Sequence, residues 1–140
     1  MMIENDIKTV FATSVLGFVA YVYALNWELI MIWSMLVVID VIYGVVAAST
    51  KGEYTSRIMK VGLINKAGET LLLITTILAQ RVAIINGINI PISSFFLGAF
   101  CFKEATSIIE TYIKLGHTMP KVLENWFKIA NEEINRKEGE

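Results

Sequence analysis

Long apolar runs separated by short polar breaks organise this chain, with no period-two alternation inside a run. The first run, "VFATSVLGFVAYVYAL", covers Val10 to Leu25 and is extended at its start by Ile7 and Thr9. The second goes from Leu29 to Ser49, and Asp40 is its one charged residue. A third goes from Ala67 to Ile85, with Glu69 near one end and Arg81 near the other. The fourth begins at Ile90 as "IPISSFFLGAFCF", meets Lys103 and Glu104, and continues through "ATSIIETYI". A helix needs about 20 residues to cross a hydrocarbon core of about 30 Å. Three runs meet that length outright, and the fourth meets it if its two central charges are tolerated. Four spans are therefore favoured over three.

The pattern predicts an all-α integral membrane protein with transmembrane helices over about 7–25, 29–49, 67–86 and 90–112. The connectors "NWE" and "NGINIP" are short turns, so the spans form two hairpins, and Trp27 is suited to the membrane interface. The membrane domain covers residues 1–119, and residues 120–140 form a separate tail. After Pro120, Leu123, Trp126, Phe127, Ala130 and Ile134 recur at helical spacing, with most of the charges elsewhere. That amphipathic helix is too short and too charged to span. It fits either the membrane surface or a neighbouring subunit. A cleaved signal peptide is a poor description of the first run. "MMIENDIK" holds more acids than bases, and the apolar stretch exceeds a typical signal core.

Composition agrees with a lipid-facing chain. Of 140 residues, 55% are hydrophobic and 18% charged, against about 25% charged in a soluble domain. Twelve basic residues against thirteen acidic ones give no electrostatic footing for nucleic acid. The single cysteine, Cys101, excludes an intramolecular disulfide and reads as a small core hydrophobe. The segment between runs two and three carries Lys51, Arg57, Lys60 and Lys66 against Glu53, and Lys114, Lys121 and Lys128 follow run four. The two short turns carry no lysine or arginine. By the positive-inside rule, the central loop and the C-terminus face the cytoplasm. His117, the only histidine, reads as a turn residue, and no metal site, cofactor motif or catalytic constellation can be assembled. No enzyme is indicated.

The intramembrane charges carry most of the remaining information. Asp40 lies eleven residues from Leu29 and Lys103 thirteen from Ile90, a depth difference of about 3 Å. An isolated charge at mid-bilayer costs roughly 2.5–3.5 kcal/mol, so the expected pair is Asp40 with Lys103, and Glu104 competes for that lysine. Arg81 is close enough to the outer surface to snorkel. Glu69, beside Lys66 near the cytoplasmic end, needs no deep partner. The buried pair reads equally as a functional group or as a structural contact between helices two and four. Gly44 and Ala48 follow Asp40 at intervals of four, with Ala47 beside them, and such a small-residue face permits close helix approach.

Several of these residues resemble a known pattern. "DVIYGVVAA" (Asp40 to Ala48), Ser56, "GLINK" (Gly62 to Lys66) and "KEATSIIETYIKLGHTMPKVL" are similar to the phage-lysis and toxin-secretion holin family. The matching positions are Asp40, Gly44, Ala47, Ala48, Ser56, Gly62, Leu63, Lys66, Glu104, Ser107, Ile108, Glu110, Leu115, Gly116 and Pro120. Thr111 stands where the family usually has asparagine. The resemblance implies a small multi-pass protein of the bacterial cytoplasmic membrane, acting as a homo-oligomer in the lipid bilayer. Its lesions would release an endolysin or a large toxin without required direct contact. In that setting Asp40 is expected to meet Lys103 in the dispersed protomer and to exchange that contact on assembly. A small ion channel or transporter subunit using Asp40 and Glu104 is the alternative, and a membrane scaffold with a recruiting tail is a third.

Overall fold

A computed structural model describes residues 2–53 and 55–139 of the chain. It contains five helices: α1 (Met2–Tyr23), α2 (Trp27–Thr50), α3 (Ser56–Ile85), α4 (Ile92–Lys114) and α5 (Lys121–Glu138). The first four are long and apolar enough to cross a membrane, and α5 is not among them. The protein is a multi-pass helical membrane protein with one additional helix.

Local chemistry sets the helix ends. The Asn26 side chain accepts the Leu29 amide at 3.1 Å and opens α2. Trp27 Nε1–H reaches back to the Val22 carbonyl at 3.0 Å, tying the two sides of the first turn together. Two helices end in the same way. In α2, Gly52 takes φ 69°, Gly52 N–H donates to Ser49, and Glu53 N–H donates to Ala48. In α3, Gly87 takes φ 78°, with Gly87 N–H on Ile84 and Ile88 N–H on Ala83. Both are glycine-dependent stops that satisfy the last carbonyls before the chain reverses. Several hydroxyls inside the spans are satisfied within their own helix. Ser34 donates to the Ile30 carbonyl and Thr75 to that of Leu71, each at 2.8 Å.

The largest departure from expectation concerns α3. The stretch expected as a cytoplasmic loop up to Lys66 is helical from Ser56 onward. Thr55 supplies the reason, because its hydroxyl accepts the Ile58 amide at 3.3 Å and starts the helix about three turns before Ala67. Gly62 is the one glycine on that path, and a single glycine costs about 1 kcal/mol, too little to break a long helix. Ser56, expected in a basic loop, is instead the first residue of a spanning helix.

α4 is the centre of the bundle. It packs most extensively against α2, then against α3, and carries α5 on another face. The hairpins exist in connectivity, but the tightest contact, α2 on α4, crosses from one to the other. Trp33, Leu73, Leu97 and Cys101 form the core where α2, α3 and α4 meet. Cys101 is buried there as a free thiol. α1 sits at the edge and is held by Tyr21, whose hydroxyl donates to the Ile77 carbonyl at 2.6 Å. Elsewhere large apolar side chains face outward, among them Phe11, Met31, Ile42 and Leu71. Such an exterior is stable only where hydrocarbon, not water, is the solvent.

Candidate functional site: a charged node between three spanning helices

The core does not stay apolar along its whole length. One turn beyond Cys101 the same α4 face presents Glu104, which has no exposed surface at all. Lys66 of α3 binds it through Oε2 and also lies 3.0 Å from Asp40 Oδ2 of α2. One lysine thus joins three helices. One turn along α3, Glu69 binds Lys103 of α4 through Oε1. Asp40, Lys66 and Glu69 each keep under a fifth of their side-chain surface exposed, whereas Lys103 keeps 58%.

The expected pair of Asp40 with Lys103 is therefore not formed. Depth matching put α4 at the right level, but rotation about its axis selects the neighbouring residue. Adjacent helical residues point about 100° apart, so when Glu104 faces α2 and α3, Lys103 is turned away from Asp40 and meets Glu69 of α3. Glu104 consequently does not compete for Lys103. Glu69, expected to need no deep partner, is the residue that takes it.

Lys66 reaches this level because α3 and α4 are registered from their far ends. Gln80 Oε1 accepts both the Ser93 amide at 2.8 Å and the Ser93 hydroxyl at 2.7 Å. That bond substitutes for a side-chain cap on α4, which Pro91 cannot supply. From Gln80 to Lys66 is about 21 Å of helix, and from Ser93 to Glu104 about 16 Å. The four-carbon stem of lysine covers the difference.

The node is not fully paired. Glu104 Oε1 and Glu69 Oε2 are both buried without a hydrogen-bond partner, and the two carboxyl groups lie within hydrogen-bonding reach of each other. With every group ionised, Asp40, Glu69 and Glu104 outnumber Lys66 and Lys103 by one charge.

Beside the node, α2 and α3 diverge and leave a groove of about 190 Å³, bordered by Asp40, Gly44, Ala48, Gly62, Leu63 and Lys66. A Cβ added at Gly44 or Gly62 would meet nothing within 4 Å. Gly44, the first small residue after Asp40, is thus not used for close packing inside the protomer. Ala47 and Ala48 are half-buried near the end of the same helix.

The remaining sequence candidates fall elsewhere. Arg81 does not point freely to the surface, because its guanidinium lies over the Tyr21 ring at 5.5 Å. A Cβ on Gly17 would come within 2.9 Å of Arg81 Nη2, so Gly17 makes room for it. Ser107 is half-buried on α4, and its carbonyl accepts the Thr111 hydroxyl at 3.0 Å. Thr111 thus bonds within its own helix. Glu110 is exposed and borders the α4–α5 groove. Gly116, with φ 91°, ends α4, and Pro120 precedes α5. His117 stacks on Tyr112 with ring centroids 4.6 Å apart. Among the described residues no group of histidine, cysteine, aspartate and glutamate could hold a metal ion.

α5 also has a partner inside its own chain. It folds back on its own α4, where Asn131 Nδ2–H donates to Thr106 Oγ1 at 3.2 Å. Leu123, Trp126 and Ile129 remain exposed on its opposite side. Asp40 and Glu104 are legible as intramembrane acids, whereas Lys66 reads as part of a loop and Glu69 as a residue near the cytoplasmic end that needs no deep partner. The signal that could have placed them is the Thr55 cap, which makes Lys66 and Glu69 successive turns of one α3 face.

Fold and node together define a small multi-pass helical membrane protein whose spans are joined by internal ion pairs and whose outer surface is made for lipid. A family model described as the bacteriophage holin family matches residues 17–132, most of the chain, from the last part of α1 into α5, and the chain belongs to that family. No curated protein and no solved structure matches it. Holins are non-catalytic membrane pore formers, and the chain is not an enzyme.

Proposed function

We propose that this holin accumulates in the bacterial cytoplasmic membrane, self-associates and opens lesions that let an endolysin or a large toxin through. The observation that carries this reading is the family match across three complete spans, together with a fourth span of sufficient length. The cargo needs no direct contact with the chain, because a lesion acts on whatever is dissolved in the cytoplasm. The central segment and the C-terminus face the cytoplasm, supported by the lysines and arginine at residues 51–66 and by the absence of basic residues from the two outer turns.

Self-association has a surface available to it. The surface at Gly44 is open in the protomer and borders a groove, and in hydrocarbon such a small-residue surface gains packing when another helix approaches. Asp40 lies at its inner end and is held by Lys66. An ion path along Asp40 and Glu104 would need polar groups to continue on the same face, but the neighbouring core positions are Trp33, Leu73, Leu97 and Cys101.

The experiment is inducible expression in bacteria that also make a cytoplasmic endolysin, with culture turbidity followed after induction. Abrupt clearing that needs both proteins is expected. Steady growth, with the chain shown to be in the membrane, sinks the proposal.

A further inference from the structure

The node holds two buried oxygens that its own lysines do not reach. Lys66 uses Glu104 Oε2 and Lys103 uses Glu69 Oε1, so each carboxyl group has one oxygen engaged and one without a partner. The two groups lie within hydrogen-bonding reach of one another. Ionised carboxylates only accept hydrogen bonds. Two of them facing each other in a low-dielectric interior therefore repel and leave both oxygens unsatisfied. One proton placed between them supplies the missing donor and satisfies both at once.

The surrounding charges point to the same count. Asp40 faces the site from α2, Lys66 from α3, and Lys103 together with the Cys101 thiol from α4. From α5, Glu138 borders the same groove as Lys103. With one proton bound, the three node carboxyl groups carry two negative charges against two lysines, and the five groups together become neutral. A metal ion is a poorer fit, since hard cations take six or more oxygens and only two are free here.

We propose that Glu69 and Glu104 share one exchangeable proton, which makes the node between α2, α3 and α4 a proton-binding site. The site is independent of whether the chain opens lesions. While the proton is in place, α3 and α4 are joined by a neutral, fully satisfied network. When it leaves, two facing carboxylates push the helices apart.

The test is infrared spectroscopy of the full chain in lipid nanodiscs near neutral pH, recorded in water and in deuterium oxide. An ordinary glutamate, with a pKa of about 4.3, is well under about 1% protonated there. The expected result is a carbonyl-stretch band of a protonated carboxyl group, about one per chain, shifting in deuterium oxide. Glu69→Gln should abolish the band. Its amide N–H can satisfy Glu104 Oε1 permanently, while its carbonyl still accepts from Lys103. Glu110→Gln should leave the band unchanged. Absence of the band from the wild-type chain overturns the proposal whatever the variants do. So does a band that survives Glu69→Gln and is lost in Asp40→Asn.

Discussion

Lys66 answers two carboxylates at once, Asp40 from α2 and Glu104 from α4, so its loss would strand both acids in the bundle interior. Breaking a buried ion pair from one side typically costs roughly 3–5 kcal/mol. Lys66→Met is therefore expected to lower the unfolding temperature of the chain in micelles by many degrees or to prevent its accumulation. Lys103→Met removes a more exposed partner of a single acid and should cost clearly less. Equal effects of the two substitutions would contradict the arrangement described here. Arg81 makes a second residue-scale case. It is a charge near a helix end that the chain has fitted against an aromatic ring and a glycine. Depth along a helix can be counted from sequence, but the direction in which a side chain points depends on the rotation of the whole helix.

At the scale of elements, the glycines separate into those that make room and those that leave it open. Gly17→Ala brings a methyl group within 2.9 Å of Arg81 Nη2, whereas Gly44→Ala meets nothing. We expect Gly17→Ala to loosen α1 and lower thermal stability slightly, and Gly44→Ala to leave it unchanged. Gly44→Leu should also spare the protomer while reducing the cross-linked oligomers recovered from membranes. Intact oligomers in Gly44→Leu would exclude that face from association. Gly87, at φ 78°, belongs to a third kind, because a side chain there is strained whatever the space. Gly87→Ala should destabilise the α3–α4 turn by about 1–2 kcal/mol, read from chemical unfolding in micelles. The turn matters because it lies beside the Gln80–Ser93 bonds that set the register delivering Lys66 to Glu104.

For the whole molecule, the outward-facing apolar surface and the uneven distribution of lysine and arginine act together. The first fixes the chain in a bilayer, and the second biases which side each connection faces. With Cys101 replaced by alanine, a cysteine introduced at Gly139 should react with an impermeant thiol reagent only after cells are opened. One introduced at Asn89, in the second outer turn, should react in intact cells. The reverse pattern would invert the proposed topology. The exposed Trp126 and Ile129 on α5 give the cytoplasmic side of such a topology an apolar surface beyond the spans.

Four apolar helices of spanning length and the family were legible in the residues alone, whereas the start of α3 was not. Spanning length, mean polarity and motif order are properties of a one-dimensional chain, and hydrocarbon selects on them directly. The buried acids Asp40 and Glu104 could be found in the same way, since a charge inside an apolar run is visible without a structure. The partners of those acids could not. Lys66 had to be recognised as part of α3, α3 had to be registered on α4 through Gln80 and Ser93, and α4 had to be turned so that Glu104 and not Lys103 faced inward. Each of these depends on how helices sit against one another, and only the tertiary structure decides that.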